Sequence, residues 1–159
     1  MTAIHLARIP EIVQGAGALE DLGAALSSYL PKGSQILLVA DPGLRPSGVS
    51  DTAAAALKAG GYGVVSYDDV KSDPTMAQAD AAAALARRER VAGVVAIGGG
   101  SAMDVGKTIA AIAGAADGAS HYGLCANPFP AAQLVSVCLP TTSGTGSEAT
   151  RTAVLADAG

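Results

Sequence analysis

Aromatic residues are almost absent from this chain of 159 residues. It contains four tyrosines, one phenylalanine and no tryptophan, whereas half of its residues are hydrophobic. The core must therefore be built from alanine, valine, leucine and isoleucine, which suit closely packed helices on a buried parallel sheet. A chain of this length can bury the core of one ordinary domain and is too short for two.

Positive charge is also scarce. Ten Lys and Arg residues stand against fourteen Asp and Glu residues, which gives a formal net charge of −4 and a pI near 4.9. Because nucleic acids and anionic membranes are bound by basic surfaces, we expect neither as a partner. The uncharged stretch 118–147 is long enough to span a membrane, but its prolines, Gln133 and many hydroxyl groups predict loop and strand instead.

Cysteine and histidine each occur only twice. Cys125 and Cys138 are too few for a disulfide framework, and free thiols suit a reducing compartment. Residues 1–15 lack the basic region and apolar run of a secretion signal, so we expect a cytoplasmic protein. His121 and Cys125 are four residues apart, but two isolated ligands do not make a metal site, and none is predicted.

Short apolar runs of strand length alternate with alanine-rich stretches of helix length. The predicted strands are Ile4–Val13, Gln35–Ala40, Gly63–Tyr67, Gly93–Ile97, Leu134–Leu139 and Thr150–Ala156. The predicted helices are Ala16–Leu30, Ser50–Ala59, Thr75–Arg90 and Ser101–Ala116. Strands that are bounded by Gly or Pro and alternate with helices are typical of βαβ units. The sequence therefore predicts an α/β fold: a three-layer, Rossmann-like parallel sheet with helices on both faces.

Two local signals concern where elements begin and end. Asp73 followed by Pro74 predicts the N-cap and the first residue of a helix. After the last predicted strand, residues 157–159 predict a turn, so the chain shows only the first half of a hairpin. We therefore expect a piece of a longer protein, with an unpaired strand edge that favours self-association.

Three consecutive glycines follow the predicted strand Gly93–Ile97. They occupy positions 98–100 and are followed by Ser101 and a helical pattern. Glycines let the backbone approach a ligand closely, and a helix start offers unpaired N–H groups and the positive end of a dipole. This combination predicts an anion site, most often for the phosphates of a nucleotide.

The glycine loop departs from two nucleotide-binding motifs. The third glycine of G-x-G-x-x-G would fall at Met103, and the leading glycine of a P-loop would fall at Ser101. Residues 106–108 supply Gly-Lys-Thr, but this spacing places Lys107 inside the helix. A P-loop nucleotide hydrolase is one alternative. A second is a non-catalytic nucleotide-binding or dimerisation module. The three glycines also suit a tight strand-to-helix turn with Ser101 and Asp104 as a capping box, which would still leave amides free for a ligand.

A second polar segment follows the predicted strand Leu134–Leu139. It runs from Pro140 to Glu148 and contains five hydroxyl side chains and two glycines. Such residues at the carboxyl end of a strand suit a polar ligand in the crevice of an α/β sheet. Because the glycine loop ends another strand, the two segments together predict one nucleotide site.

In these segments the chain resembles the iron-containing, or group III, alcohol dehydrogenases, with glycerol dehydrogenase and dehydroquinate synthase as more distant relatives. The matching segments occur in order at 15–17, 38–44, 73–75, 98–101 with Asp104 and Lys107, and 140–150. The pattern Thr-Thr-x-Gly-Thr-x-x-Glu, which begins at Thr141, favours the alcohol dehydrogenases. One departure is Asp73, where the family usually has asparagine.

The resemblance implies that the chain binds NAD, with NADP less expected, for hydride transfer between an alcohol and the nicotinamide. The implied cofactor-binding residues are Asp41, Gly99, Gly100, Ser101, Asp104, Thr141, Thr142, Ser143, Gly144, Thr145 and Val154. Of these, Gly99, Gly100 and Ser101 would bind the pyrophosphate. Asp41 would lie by the adenosine ribose and Val154 near the nicotinamide, although Asp41 is also a typical turn residue.

The resemblance also implies which parts of the enzyme lie elsewhere. In the family a helical second domain carries the metal, iron or zinc, on one Asp and three His, together with most of the substrate pocket. Since His5 and His121 are the only histidines, residues 1–159 are expected to be the dinucleotide-binding domain alone, inactive by itself. The whole protein is expected to act on a small alcohol or aldehyde and to form a homo-oligomer, most simply a dimer.

Overall fold

The computed structural model describes residues 11–130 and 133–157. The helices are α1 (Leu22–Ala25), α2 (Val49–Ala59), α3 (Met76–Arg88) and α4 (Gly100–Ile112). The strands are β1 (Gln35–Ala40), β2 (Gly63–Tyr67), β3 (Val91–Gly98) and β4 (Val135–Pro140). Short 3-10 turns occur at Leu26–Ser28, Pro42–Ser47, Ala119–Cys125 and Ser147–Ala149. Within this part of the chain, no helix has the length and apolar character needed to cross a membrane.

The strands form one parallel sheet in the order β2-β1-β3-β4. The chain first moves outward from β1 to β2, then returns to the other side of β1 and continues through β3 to β4. The direction of winding therefore reverses between β1 and β3. In open α/β sheets, this reversal opens a crevice at the carboxyl ends of the two strands.

Hydrophobic clusters cover both faces of the sheet. On one face, the β1 residues Leu37 and Val39 pack with buried residues of α3 and α4. On the other, Ile36 and Leu38 pack with buried residues of α1 and α2. Alternate residues of β1 therefore pack into the hydrophobic clusters on opposite faces of the sheet, as expected for a strand that is buried on both sides. The predicted three-layer α/β fold is confirmed.

The predicted helix Ala16–Leu30 is wrong in its extent. Residues before α1 form turns, and α1 itself has only four residues. Gly17 has a φ of +83°, outside the range of a right-handed helix, so a helix that starts at Ala16 is interrupted at once. The predicted strand Ile4–Val13 lies mostly outside the described residues, and its described end, residues 11–13, has no regular structure.

The predicted strand Thr150–Ala156 is not formed. Only Ala156 makes a bridge, to Thr75 ahead of α3. Elsewhere in the segment, backbone groups are bonded to side chains of α4: the Val154 N–H donates to Asp104, and the Thr152 carbonyl accepts from Lys107. The side chains of Asp104 and Lys107 therefore make the backbone hydrogen bonds that a neighbouring strand would otherwise make.

The predicted cap of α3 is displaced by two residues. Thr75, and not Asp73, is the N-cap, and its hydroxyl oxygen accepts a hydrogen bond from the Gln78 N–H at 3.2 Å. Pro74 lies before the helix, where its carbonyl accepts from the Ala156 N–H at 2.8 Å. Thr75 is extended where it bridges to Ala156, and the helix begins after it.

Candidate functional site

The carboxyl ends of three strands lie side by side at one edge of the sheet. Asp41 follows β1, and its backbone N–H donates to the Ile97 carbonyl of β3 at 3.2 Å. Thr141 follows β4, and its N–H donates to the Gly98 carbonyl at 2.9 Å. Main-chain hydrogen bonds therefore bring the predicted ribose residue, the glycine loop and the polar segment together.

Gly98 makes the close approach of these segments possible. Its φ is +151°, a conformation that side chains rarely adopt. A Cβ atom at this position would lie 2.7 Å from the Cβ of Ala102 and 3.1 Å from the Cβ of Asp41. Only glycine allows β3 to turn this tightly into α4 against the end of β1.

The start of α4 carries no side-chain cap in the described structure. Its N-cap is Gly99, and the hydroxyl of Ser101 donates instead to the Ser72 carbonyl at 2.6 Å. The alternative of a capping box between Ser101 and Asp104 is therefore wrong. The first amides of a 13-residue helix are left without a side-chain acceptor, which is the arrangement that binds an anion.

A groove with two lobes runs across this helix start. The first lobe, about 450 Å³, is lined by Asp41, Pro42, Val70, Lys71, Ser72, Gly99, Gly100 and Ser101. The second lobe, about 560 Å³, is lined by residues that include Gly100, Ser101, Asp104, Thr145 and Val154. Ser72, Gly100 and Ser101 line both lobes, so the lobes meet at the amino end of α4.

Asp41 caps a turn and also lines the groove. Its Oδ1 accepts a hydrogen bond from the Gly43 N–H at 2.8 Å and caps the turn Pro42–Ser47. The same residue lines the first lobe. A turn residue can therefore also face a ligand in that lobe.

The polar segment after β4 packs against the glycine loop. Thr142 lies beside Gly99, where an added Cβ would be 3.5 Å from the threonine Oγ1. Thr145 lies beside Gly100, where the corresponding distance to its Cγ2 is 3.3 Å. Of the predicted residues 141–145, Thr145 lines the second lobe and the other four line neither lobe. Residues 141–144 are exposed beside the groove.

The backbone of Val154 is hydrogen-bonded to the side chain of Asp104. The Val154 N–H donates to Asp104 Oδ2 at 3.0 Å, while the Val154 side chain remains 73% exposed at the second lobe. Asp104 also forms an ion pair with Lys107, with Nζ 2.9 Å from Oδ1. Because Lys107 is bound here and not at the mouth of α4, it does not take the place of the phosphate-facing lysine of a P-loop.

Lys71 and Ser72 were not predicted as site residues, yet both line the first lobe. They belong to the loop that follows β2, the fourth strand of the parallel sheet, whose carboxyl end also reaches this edge. The parallel order of the strands could have drawn attention to that loop. An exposed lysine beside the uncapped helix start adds positive charge where an anion would bind.

The described residues do not provide a metal site. In residues 11–130 and 133–157, no three His, Cys, Asp or Glu side chains come together in a way that could hold an ion. The Nε2 atom of His121 lies 3.8 Å from Asp117 Oδ2, and the imidazole ring packs edge-to-face against the ring of Tyr122.

Comparison with known proteins identifies the family. The family model described as iron-containing alcohol dehydrogenase matches residues 10–159. The chain belongs to the iron-containing alcohol dehydrogenase family. It is 33% identical over 160 residues to a choline dehydrogenase of Bacillus subtilis, an alignment that covers 99% of this chain and 39% of that protein.

Two solved structures of this family share the fold. One is sulfoacetaldehyde reductase from Bifidobacterium kashiwanohense in complex with NAD+, with a TM-score of 0.79 and 30% identity over 89% of this chain and 36% of that one. The other is an alcohol dehydrogenase of an archaeal halo-thermophile from the Red Sea brine pool. Its TM-score is 0.86, with 28% identity over 99% of this chain and 41% of that one. The chain thus spans about two fifths of the length of these relatives.

Proposed function

We propose that residues 1–159 are the dinucleotide-binding domain of a metal-dependent alcohol dehydrogenase and that the groove binds NAD. The observation that carries the proposal is the groove itself, whose two lobes meet at the uncapped start of α4. A dinucleotide has the matching form, with two nucleosides joined by a pyrophosphate. The NAD+ complex of the Bifidobacterium reductase supports the choice of ligand.

The proposed orientation follows from the residues at each point of the groove. Amides of Gly99, Gly100 and Ser101 would donate to the pyrophosphate at the positive end of the α4 dipole. Asp41 would accept from the adenosine ribose in the first lobe, and Val154 would contact the nicotinamide half in the second. Residues 141–145 would close the crevice beside the glycine loop. When bound, NAD supplies a nicotinamide ring that accepts a hydride from the alcohol.

The remaining parts of the proposal concern the whole protein. We propose that its substrate is a small alcohol or aldehyde, that iron or zinc is held outside residues 1–159, and that the protein is a cytoplasmic homo-oligomer. The resemblance requires three histidines for the metal, and this chain has two in all. We therefore expect the 159-residue chain, supplied with NAD, primary alcohols and iron or zinc, to produce no NADH.

The binding proposal is tested by calorimetric titration of NAD into the wild type and a Gly100→Val variant. Gly100 lines both lobes, and a side chain there would block the approach of a phosphate to the helix start. Several charge-assisted hydrogen bonds of about 1.5–3 kcal/mol each depend on that approach, so we expect affinity to fall at least about tenfold.

Gly15→Val is the matched control. A Cβ at Gly15 meets nothing within 4 Å, and this residue lines neither lobe. The control is expected to bind NAD as the wild type does, and both variants should retain the circular dichroism spectrum of the wild type. Equal NAD affinity in Gly100→Val and the wild type would contradict the proposed site.

A further inference from the structure

A buried ion pair lies behind the start of α4, on the side of the second lobe. Asp104 and Lys107 are three residues apart on the helix, and their side chains are only 13% and 14% exposed. Their charged atoms are 2.9 Å apart. A carboxylate close to the amino end of α4 would repel a phosphate there, and the lysine ammonium offsets this negative charge.

This ion pair holds a segment that has little regular structure of its own. Between residues 147 and 154, the only regular element is the 3-10 turn Ser147–Ala149. At one end, the Ser147 hydroxyl donates to Asp104 Oδ1 at 2.6 Å, and Lys107 Nζ donates to the Ser147 carbonyl at 3.0 Å. At the other end, the Val154 N–H donates to Asp104 Oδ2 at 3.0 Å.

Lys107 also reaches the middle of the segment. Its Nζ donates to the Thr152 carbonyl and lies 3.4 Å from the hydroxyl of Thr150. Polar groups that a strand or helix would normally satisfy are therefore bonded to two side chains of α4. Loss of Asp104 would remove the acceptor of the Val154 N–H. Loss of Lys107 would leave the Ser147 and Thr152 carbonyls with only the 3.4–3.5 Å bonds from Thr150.

The segment held in this way forms one wall of the second lobe. Thr150, Thr152 and Val154 line that lobe, as does Ser147, whereas none of the four lines the first lobe. We infer that Asp104 and Lys107 are positioning residues: they fix this wall and thereby set how tightly the nicotinamide half of the dinucleotide is held. The inference rests on the proposed function, because it assigns the second lobe to that half.

The test compares ADP with NAD, because the two ligands occupy different parts of the groove. ADP carries the adenosine and both phosphates, so it requires the first lobe and the helix start. NAD requires the second lobe as well. In the Asp104→Asn variant, we expect the dissociation constant for NAD to rise about tenfold, while that for ADP stays within about twofold of the wild type.

Two further variants complete the experiment. Ser147→Ala removes only the bridging hydroxyl, so we expect a smaller rise for NAD, about threefold, and it provides the measurement if Asp104→Asn does not fold. Thr108→Ala is the control on the same helix, because the Thr108 hydroxyl donates to the main-chain carbonyl of Asp104, at 2.9 Å, and Thr108 lines neither lobe. It should bind both ligands as the wild type does.

The outcomes separate the inference from the proposed function. A selective loss of NAD affinity in both variants supports the positioning role. Parallel loss of NAD and ADP affinity, or no change in either, overturns it, since a general structural role would not distinguish the ligands. If the wild type binds neither ligand, the proposed function fails, and the inference fails with it.

Discussion

At the scale of single residues, Asp41 has a structural role and is expected to influence the choice between NAD and NADP. Its carboxylate caps the turn after β1 and lines the first lobe. A carboxylate about 4 Å from the 2′-phosphate of NADP would cost roughly 1–4 kcal/mol, depending on how much water remains. This corresponds to a preference for NAD of about fivefold to a thousandfold.

Asp41→Asn separates the two roles, because asparagine keeps the oxygen that caps the turn and removes the charge. We expect the variant to fold with wild-type stability and to lose most of the preference for NAD, mainly by binding NADP more tightly. Titration of both cofactors into both proteins measures the ratio. Equal affinity of the wild type for NAD and NADP would leave Asp41 as a turn residue alone.

The two cysteines differ in their surroundings. Burial within β4 raises the pKa of the Cys138 thiol; Asp104 and Glu148 add to this effect, and Lys107 opposes it. The thiolate is the form that reacts with alkylating agents, and a raised pKa lowers its fraction at any given pH. Cys125 is exposed.

We therefore expect iodoacetamide to modify Cys125 well before Cys138 at neutral pH. Modification of Cys138 should accelerate only above the ordinary thiol pKa of about 8.5. Mass spectrometry of the labelled peptides, taken at intervals between about pH 7 and pH 10, gives both rates. Comparable rates at pH 7 would show that Cys138 is neither buried nor shifted in its pKa.

At the scale of elements, the contact between α4 and β3 is unusually close. A Cβ added to Gly106 would lie 2.5 Å from the Cβ of Ala96, well below van der Waals contact. Both residues are buried. The helix lies this near to the strand because one of the two positions has no side chain.

Gly106→Ala is therefore expected to destabilise the protein even though alanine is the better helix former. Helix propensity favours alanine by about 1 kcal/mol, whereas overpacking a core typically costs about 1–3 kcal/mol. The net change in the free energy of unfolding is measured by urea denaturation. Adding Ala96→Gly should restore part of the loss, and a stabilised single variant would mean that the helix lies farther from the sheet.

The helices and strands that could be predicted from the sequence are those that pack against apolar residues of neighbouring elements. The runs Gln35–Ala40 and Gly63–Tyr67 coincide with β1 and β2, and α2 begins one residue before its predicted start. Burial on a sheet depends on hydrophobic pattern, which a sequence displays directly. The strand prediction for residues 150–156 was wrong, because the backbone there is bonded to the side chains of Asp104 and Lys107, which are distant in sequence.

At the scale of the whole molecule, the position of the groove follows from the order of the strands. The winding reverses between β1 and β3, and the first lobe opens between the residues that follow these two strands. The glycine loop and the segment after β4 could be assigned to one site from sequence, because parallel strands end at the same edge. The loop after β2 belongs to the same edge, but its recognisable segment, residues 73–75, does not include Lys71 or Ser72.

The claim that one dinucleotide spans both lobes is tested most directly by nuclear magnetic resonance on the 15.5 kDa chain. Titration of ADP into ¹⁵N-labelled protein is expected to shift the amides of Gly99, Gly100 and Ser101 together with Asp41. NAD is expected to shift the same amides and, in addition, that of Val154. Saturable shifts confined to other parts of the molecule, or none with NAD, would contradict the assignment of the groove.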